Sequence, residues 1–322
     1  MTTIYLGIDN GNYNTKSSDH ILYPSGFAVQ DTEFIVPDQQ LQYGGKYYAI
    51  GDSRMSFQQE KANELDTFLL SLPMMAHAMK LNHTHDAEFV LGVGLPLDVY
   101  GTQKDAFRQY FLRGRVEFRY EREKYSAIIR DCKVFPQGHA ALCHYFSQLR
   151  NYQSIAIVDI GGYTVDVMNV INAKPIRSSC MSLRKGTITL FNGIRSVLQQ
   201  HNILLTDELI ANAIRGRSEH RQKELILGAV TTQVQAYLKD LLNALREHGL
   251  DLDLPVAFAG GGAELLQEQL KACDVNVVAI PMSWTAVDAS VSALLAPSYS
   301  IRSSSCATSL FPPWTCPFRR RY

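Results

Sequence analysis

The sequence predicts an α/β protein of two similar halves, each a mixed sheet flanked by helices, set around a shared cleft. Three observations carry that prediction. The first is an internal echo. "IDNGNYNTK" (Ile8 to Lys16) and "VDIGGYTVD" (Val158 to Asp166) each end a buried strand on Asp, continue through one residue to Gly, and place a Tyr two residues on. The second is that the two copies lie 150 residues apart, and each opens a run of alternating strand and helix signals. The third is size and composition. The 322 residues are 46% hydrophobic and 19% charged, enough apolar material for one large or two medium domains.

The elements follow in order. Ile4 to Asp9 reads as a buried strand and Asn10 to Asn14 as a turn. The stretch to about Asn82 mixes strand pieces ("FIVP", "KYYAIG") with a helical segment near Gln58 to Leu72. "AEFVLGVGLPLDVYG" is a second buried strand closing in a Gly/Pro-rich loop, after which Thr102 is placed to cap the helix "QKDAFRQYFL". "RVEFRYE" and "YSAIIRDCKVFP" read as strands, and Gln137 to Leu149 as helical. "SIAIVDIGGYTVDVMNVI" is a continuous apolar strand, a glycine turn and an alternating strand, with "KPIRSSCMSL" as a further strand of that sheet. Thr187 to Gln200 and Thr206 to Ile214 are predicted helices. Glu219 to His248 is a long one, with Leu225, Ala229, Leu238, Leu241, Leu242 and Leu245 on one face and Gly249 where a helix ends. "PVAFAGGGAELLQEQL" reads as strand, glycine turn and helix, and "WTAVDASVSALLA" as a last helix. After Pro297 the chain turns to Ser, Pro and Arg and reads as a disordered or loosely attached tail.

Charge and composition narrow the function classes. Net charge is zero, so no global field favours nucleic acid or a membrane surface. From Ala296 onward there are four basic residues and no acid, leaving 27 basic against 31 acidic residues in the body. "MTTIYLGID" has neither the basic nor the apolar region of a signal peptide, and no run approaches the roughly 18 apolar residues of a spanning helix. Six cysteines without CxxC spacing read as free thiols in a reducing compartment. The expectation is a cytoplasmic protein without membrane contact.

The hairpins define the chemistry. A tight turn of small residues exposes backbone N–H groups, and glycine lets that backbone approach an anion. Two such turns face to face, Gly11, Asn12 and Asn14 on one and Gly161, Gly162 and Tyr163 on the other, would clamp a polyphosphate. Asp9 and Asp159 would repel it unless a cation intervened. Mg²⁺ fits, since it keeps several waters and takes one or two carboxylates with phosphate oxygens. Lys16 would meet the β- and γ-phosphates, and Thr15 and Thr164 offer hydroxyl donors. Asn-Gly and Gly-Gly alone are ordinary turn dipeptides; the matched pair is what argues for a site. A third glycine segment, Gly260, Gly261 and Gly262, sits between a strand and a helix but lacks the Lys-Ser/Thr ending of a P-loop.

The ordered set resembles the actin, Hsp70 and sugar-kinase superfamily, with its ribonuclease H-like duplicated domains. The phosphate 1 hairpin is similar to Asp9–Lys16 and the first connecting helix to "VFPQGHAAL". Phosphate 2 is similar to "VDIGGYTVDV", the adenosine motif to "FAGGGAELL", and the second connecting helix to Thr285–Leu295. The matches run over residues 4–296. "VGLPLDVYG" and "RKGTITLFNGI" further resemble the ParM/StbA group of bacterial actin-like plasmid-segregation proteins. The resemblance implies a first actin-like domain over 1–148 with a small outer subdomain at about 24–80, a second over 149–283, a helix returning to the first at 284–296, and a tail at 297–322. It implies ATP or GTP in the cleft, hydrolysed with Mg²⁺ held by Asp9 and Asp159 through water. Gln137 would orient the attacking water, with His139 as a substitute, and Gly186 and Thr187 would lie near the nucleotide.

It also implies polymerisation into a filament of copies of this chain and segregation of plasmid DNA. DNA would be reached through a small ParR-type adaptor on centromere-like DNA rather than directly, as the neutral charge suggests. Glu208 and Lys223 are candidates for ribose or base contacts, and nothing separates adenine from guanine. The segment Pro24–Met79 and the tail match no motif of the group. The competing readings are a small-molecule kinase of the same superfamily, with Asp166 as base, and a cell-shape actin homologue. An Hsp70-like chaperone would need a further β domain.

Overall fold

A computed structural model describes residues 1–35, 38–52, 65–95, 97–136, 151–172, 174–176 and 179–279. The expected helices at 137–149 and 285–295, the boundary at 148/149, Gln137, His139 and the tail lie outside the described residues.

The first sheet grows from β1 (Thr2–Asn10), where Ile4, Leu6 and Ile8 alternate into the core. β1 pairs antiparallel with β2 (Asn14–Ser17) and parallel with β7 (Asp86–Leu95). With β3 (Leu22–Pro24), β4 (Phe27–Gln30), β5 (Gln40–Tyr43), β6 (Lys46–Ile50), β8 (Arg115–Tyr120) and β9 (Glu123–Pro136), the order is β3-β2-β1-β7-β9-β8-β5-β6-β4. The segment expected as an outer subdomain therefore adds β4 to β6 to the far edge of this same sheet.

Among the described residues two helices cover the first sheet. The 58–64 part of the predicted 58–72 segment lies outside the described residues; α1 (Asp66–Leu81) takes up the rest and runs on through Pro73, because "FLLSLPMMAHAM" is apolar nearly all round and is buried against β1. α2 (Leu97–Phe111) also departs from expectation, starting upstream of Thr102. Thr102 is not a cap: its Oγ1 donates back to the Val99 carbonyl at 3.0 Å, an arrangement a helix interior accepts. Extending the helix also brings Tyr100, whose hydroxyl donates to the Val134 carbonyl at 3.2 Å, onto the turn that precedes the buried Phe107 and Phe111.

The second sheet repeats the plan. β10 (Ser154–Ile160) pairs antiparallel with β11 (Val165–Ile171) and parallel with β14 (Val256–Ala259), as β1 does with β2 and β7. β15 (Val277–Ala279) extends one edge; β12 (Lys174–Pro175) and β13 (Met181–Leu183), the two pieces of the single strand predicted at 174–183, both pair with β11. α3 (Thr187–Gln199), α4 (Asp207–Ile214) and α5 (Lys223–Glu247) pack on one face, around Leu190, Ile194, Ile226, Leu241 and Phe258. The helix predicted after the glycine turn is two short ones, α6 (Gly260–Leu265) and α7 (Gln267–Lys271). Thr206 caps α4, its Oγ1 accepting from Leu209 N at 3.3 Å. Gly249 takes φ +84° just past α5, the conformation that ends a helix.

Candidate functional site

The strand pairing fixes the site. Asp9, near the end of β1, stands opposite Lys16 on β2, and Lys16 Nζ lies 3.2 Å from Asp9 Oδ2. Asp159, at the matching place on β10, stands opposite Asp166 on β11. The first hairpin thus carries an ion pair where the second carries two carboxylates.

The Asp159 carboxyl is enclosed by protein although the residue keeps some solvent-accessible surface, and the surroundings of the carboxyl govern its titration. Burial pushes it up to about 7; the charges of Asp166 and Asp9 push the same way, and Lys16 opposes them. Lys16 and Asp9 belong to the first sheet and Asp159 to the second, so the two hairpins act on one space.

Glycine is required where these segments crowd together. Gly260 takes φ +85°, and a Cβ there would collide with Asp159 Oδ1 and lie 2.7 Å from the Ile160 carbonyl. The third glycine segment therefore backs Asp159. Gly186 lies against the backbone of Gly162 and Tyr163. The first amides of α3 are spent on the second hairpin: Thr187 N donates to the Gly161 carbonyl at 3.0 Å and Ile188 N to that of Gly162 at 2.8 Å. Gly186 and Thr187, carried over only by resemblance, thus sit directly behind the hairpin. Gly261 faces open space, and a Cβ on Gly262 would press within 2.7 Å of the Ile160 carbonyl and the Thr187 methyl.

Both threonine hydroxyls are already hydrogen-bonded within the protein. Thr15 is 1% exposed, and its Oγ1 lies 3.0 Å from Ser25 Oγ, which in turn donates to the Gly11 carbonyl at 2.5 Å. Its side chain is turned into the fold, which corrects the expectation of a hydroxyl offered to phosphate. Thr164 Oγ1 donates to Asp166 Oδ2 at 3.2 Å. Asn12 is half-buried at the tip, and the Asn14 carbonyl lies against Gly11, where a Cβ would stand 2.6 Å from it. Tyr163 meets Tyr13 edge-on, with ring centroids 6.5 Å apart. Glu208 and Lys223 are exposed, and Lys223 Nζ lies 3.8 Å from the neighbouring Glu224.

Sequence reasoning passed over Ser25, whose bracing role has no motif. Asp166, read in the sequence as a kinase base, aligns with Lys16 in the internal echo and stands opposite Asp159 on β11.

Residues 7–139 match the family described as actin-like proteins, N-terminal domain, and residues 157–272 match the C-terminal part of the archaeal actin homologues described as MreB-like. The crystal structure of Ta0583, an archaeal actin homologue, superposes with a TM-score of 0.68 at 20% identity, over 90% of this chain and 99% of that one. The protein has the actin-like fold. A 15-stranded ParM filament from Clostridium botulinum gives a TM-score of 0.68 at 16% identity, covering 91% and 99% of the two chains. Bacillus thuringiensis ParM with ATP gives 0.67 at 12%, covering 92% and 98%. No curated protein matches significantly.

In this actin-like fold the two hairpins and the Gly260 turn surround one acidic cluster. Burial of the Asp159 carboxyl, reinforced by the charges of Asp166 and Asp9 and opposed by Lys16, is why Asp159 holds its proton above the ordinary carboxylate range. Among the described residues no three His, Cys, Asp or Glu side chains are close enough to ligate a metal directly. That donor set fits a hydrated Mg²⁺ shared with phosphate oxygens, and does not fit an ion caged by protein alone. Among the described residues no helix is long and apolar enough to cross a membrane.

Proposed function

We propose that the protein is a filament-forming nucleoside triphosphatase that binds ATP or GTP with Mg²⁺ in the cleft between its two sheets. The observation that carries the reading is the pair of matched hairpins, with Asp9 and Lys16 on one facing Asp159 on the other. Proteins of the same fold support it: Ta0583 has been solved in complex with ADP, ParM of Bacillus thuringiensis with ATP, and ParM of Clostridium botulinum as a filament.

In this reading Lys16 meets the terminal phosphates, and Asp9 and Asp159 hold the waters of Mg²⁺. The metal, when bound, neutralises phosphate charge. Gln137 orients the attacking water; this assignment rests on sequence resemblance alone. A ligand touching both halves favours the closed arrangement and couples nucleotide to assembly. The biological task is segregation of plasmid DNA in the cytoplasm, through a small DNA-binding adaptor of ParR type.

Light scattering with Mg²⁺ and ATP or GTP tests this. It should rise above a threshold protein concentration, with filaments visible by electron microscopy. Scattering that stays flat at every nucleotide and protein concentration sinks the filament reading and favours a small-molecule kinase. Gln137→Ala should slow phosphate release and leave assembly intact.

A further inference from the structure

Tyr13 reaches from the first hairpin across to the second half. It springs from the first hairpin, and its hydroxyl donates to Asp207 Oδ2 on α4 at 2.7 Å. Its ring stands edge-on to Tyr163 at 6.5 Å and to Phe191 at 6.3 Å. Gly162, at the tip of the second hairpin, leaves room for it: a Cβ there would run into the Cβ and ring of Tyr13. Asp207 is also paired with Arg195 of α3. The first turn of α3 in turn holds the second hairpin through Thr187 N and Ile188 N. Tyr13 is thus tied at its backbone to one jaw of the cleft and at its hydroxyl to the helix pair that carries the other.

We infer that Tyr13 and Asp207 form a latch between the two halves, with Tyr13 as a positioning residue that sets the spacing of the hairpins and delays nucleotide release. The latch is a neutral hydroxyl donating to a carboxylate, stronger than a neutral pair because the acceptor is charged. Loss of such a bond shifts an equilibrium by roughly tenfold or more. Opening the halves must break it, since donor and acceptor lie on opposite sides of the cleft. Arg195 of α3 pairs with Asp207, so the acceptor is anchored to the second half through two helices. The consequence for release rests on the nucleotide reading above; the latch itself does not.

Two measurements on Tyr13→Phe and Asp207→Asn keep these apart. Tyr13→Phe keeps the ring on Tyr163, Phe191 and Gly162 and removes only the hydroxyl. The first measurement needs no nucleotide: energy transfer between fluorophores placed through noncanonical amino acids at the exposed Lys124 and Lys239, one on each half. Each variant should widen the separation, and the double variant should widen it no further than either single one, since both remove the same bond. An unchanged separation in both variants overturns the latch. The second measurement is the rate at which fluorescent ATP with Mg²⁺ leaves. Tyr13→Phe should release it about tenfold faster, with KM rising and kcat little changed. Wider separation with unchanged release overturns the coupling to nucleotide. If the unaltered protein binds no nucleotide, the functional reading fails while the separation still decides the latch.

Discussion

Asp159 and Asp166 face each other across β10 and β11 at the register position where Asp9 faces Lys16 across β1 and β2. Both hairpins have the same backbone plan and opposite electrostatics. One contributes an ion pair, the other two facing carboxyl groups. An enclosed carboxyl among like charges makes the folded state sensitive to pH.

Stability without metal should fall as pH rises. The Asp159 carboxyl has an ordinary value of 3.8 and is pushed up to about 7 in the folded protein. Below about 4 it is protonated whether folded or not. Between about 4 and 7 the folded chain holds a proton that the unfolded chain has released, so the favourable contribution is lost as pH climbs through that window. Above it the folded state carries the full burden of the enclosed charge. Melting temperature measured against pH in EDTA should therefore decline across this interval. Asp159→Asn should flatten the decline, and an identical slope in the variant would remove Asp159 as its source. Mg²⁺ with nucleotide should flatten it too, by favouring the ionised form.

Lys16 opposes the rise at Asp159 and pairs with Asp9 from a position only partly exposed to solvent. Lys16→Met should leave folding nearly intact, since a part-exposed pair contributes about 1 kcal/mol or less. It should weaken Mg²⁺-nucleotide binding roughly tenfold or more, because the charged donor to phosphate is lost. Calorimetric titration distinguishes the two effects. Affinity equal to that of the unaltered protein would take Lys16 out of the site.

Much of this arrangement was legible because the hairpins repeat. Asp9 and Asp159 could be paired by eye, and strand periodicity gave β1, β10 and β11 nearly to the residue. What escaped was set by packing. The run of α1 on past Leu72 to Leu81 depends on burial of an almost uniformly apolar stretch, which carries no phase for a periodicity to find. Thr15 looked like a phosphate donor because threonine in a turn often is one, and only the fold brings Ser25 beside it. The contact of Tyr13 with Asp207 joins residues 194 apart, a distance at which local pattern is silent.

Gly260 is the most exacting glycine of the site. Its φ of +85° strains any L-residue, and an added methyl would displace the Asp159 carboxyl itself. Gly260→Ala should cost roughly 1–3 kcal/mol of stability from the backbone alone. Because the displaced group is Asp159, Mg²⁺-dependent binding should suffer beyond that loss. Gly261→Ala is the control, since a Cβ there meets nothing within 4 Å. Equal behaviour of the two variants in nucleotide titration would separate this turn from the site.

The second hairpin is also held from behind, and the holding group lies on a distant helix. Tyr237 of α5 is 8% exposed, and its hydroxyl donates to the Lys185 carbonyl at 2.6 Å. Burial, reinforced by the charge of Asp240, pushes its pKa well above the ordinary phenol range, so it stays a donor at any physiological pH. Lys185 Nζ reaches Asp240 on the same helix at 2.5 Å, and the next residue, Gly186, lies against Gly162. The chain α5, Lys185, Gly186, Gly162 thus sets how firmly the hairpin is seated. Tyr237→Phe removes one buried bond and leaves the Lys185 carbonyl short of a donor, a loss of about 1–3 kcal/mol in stability. If the bond only stabilised the fold, amide exchange would speed evenly across the second sheet. If it seats the hairpin, exchange should quicken most at Thr187 and Ile188, whose amides bond Gly161 and Gly162. Hydrogen exchange resolved to these amides decides between the two, and protection unchanged at both would show that the hairpin does not depend on α5.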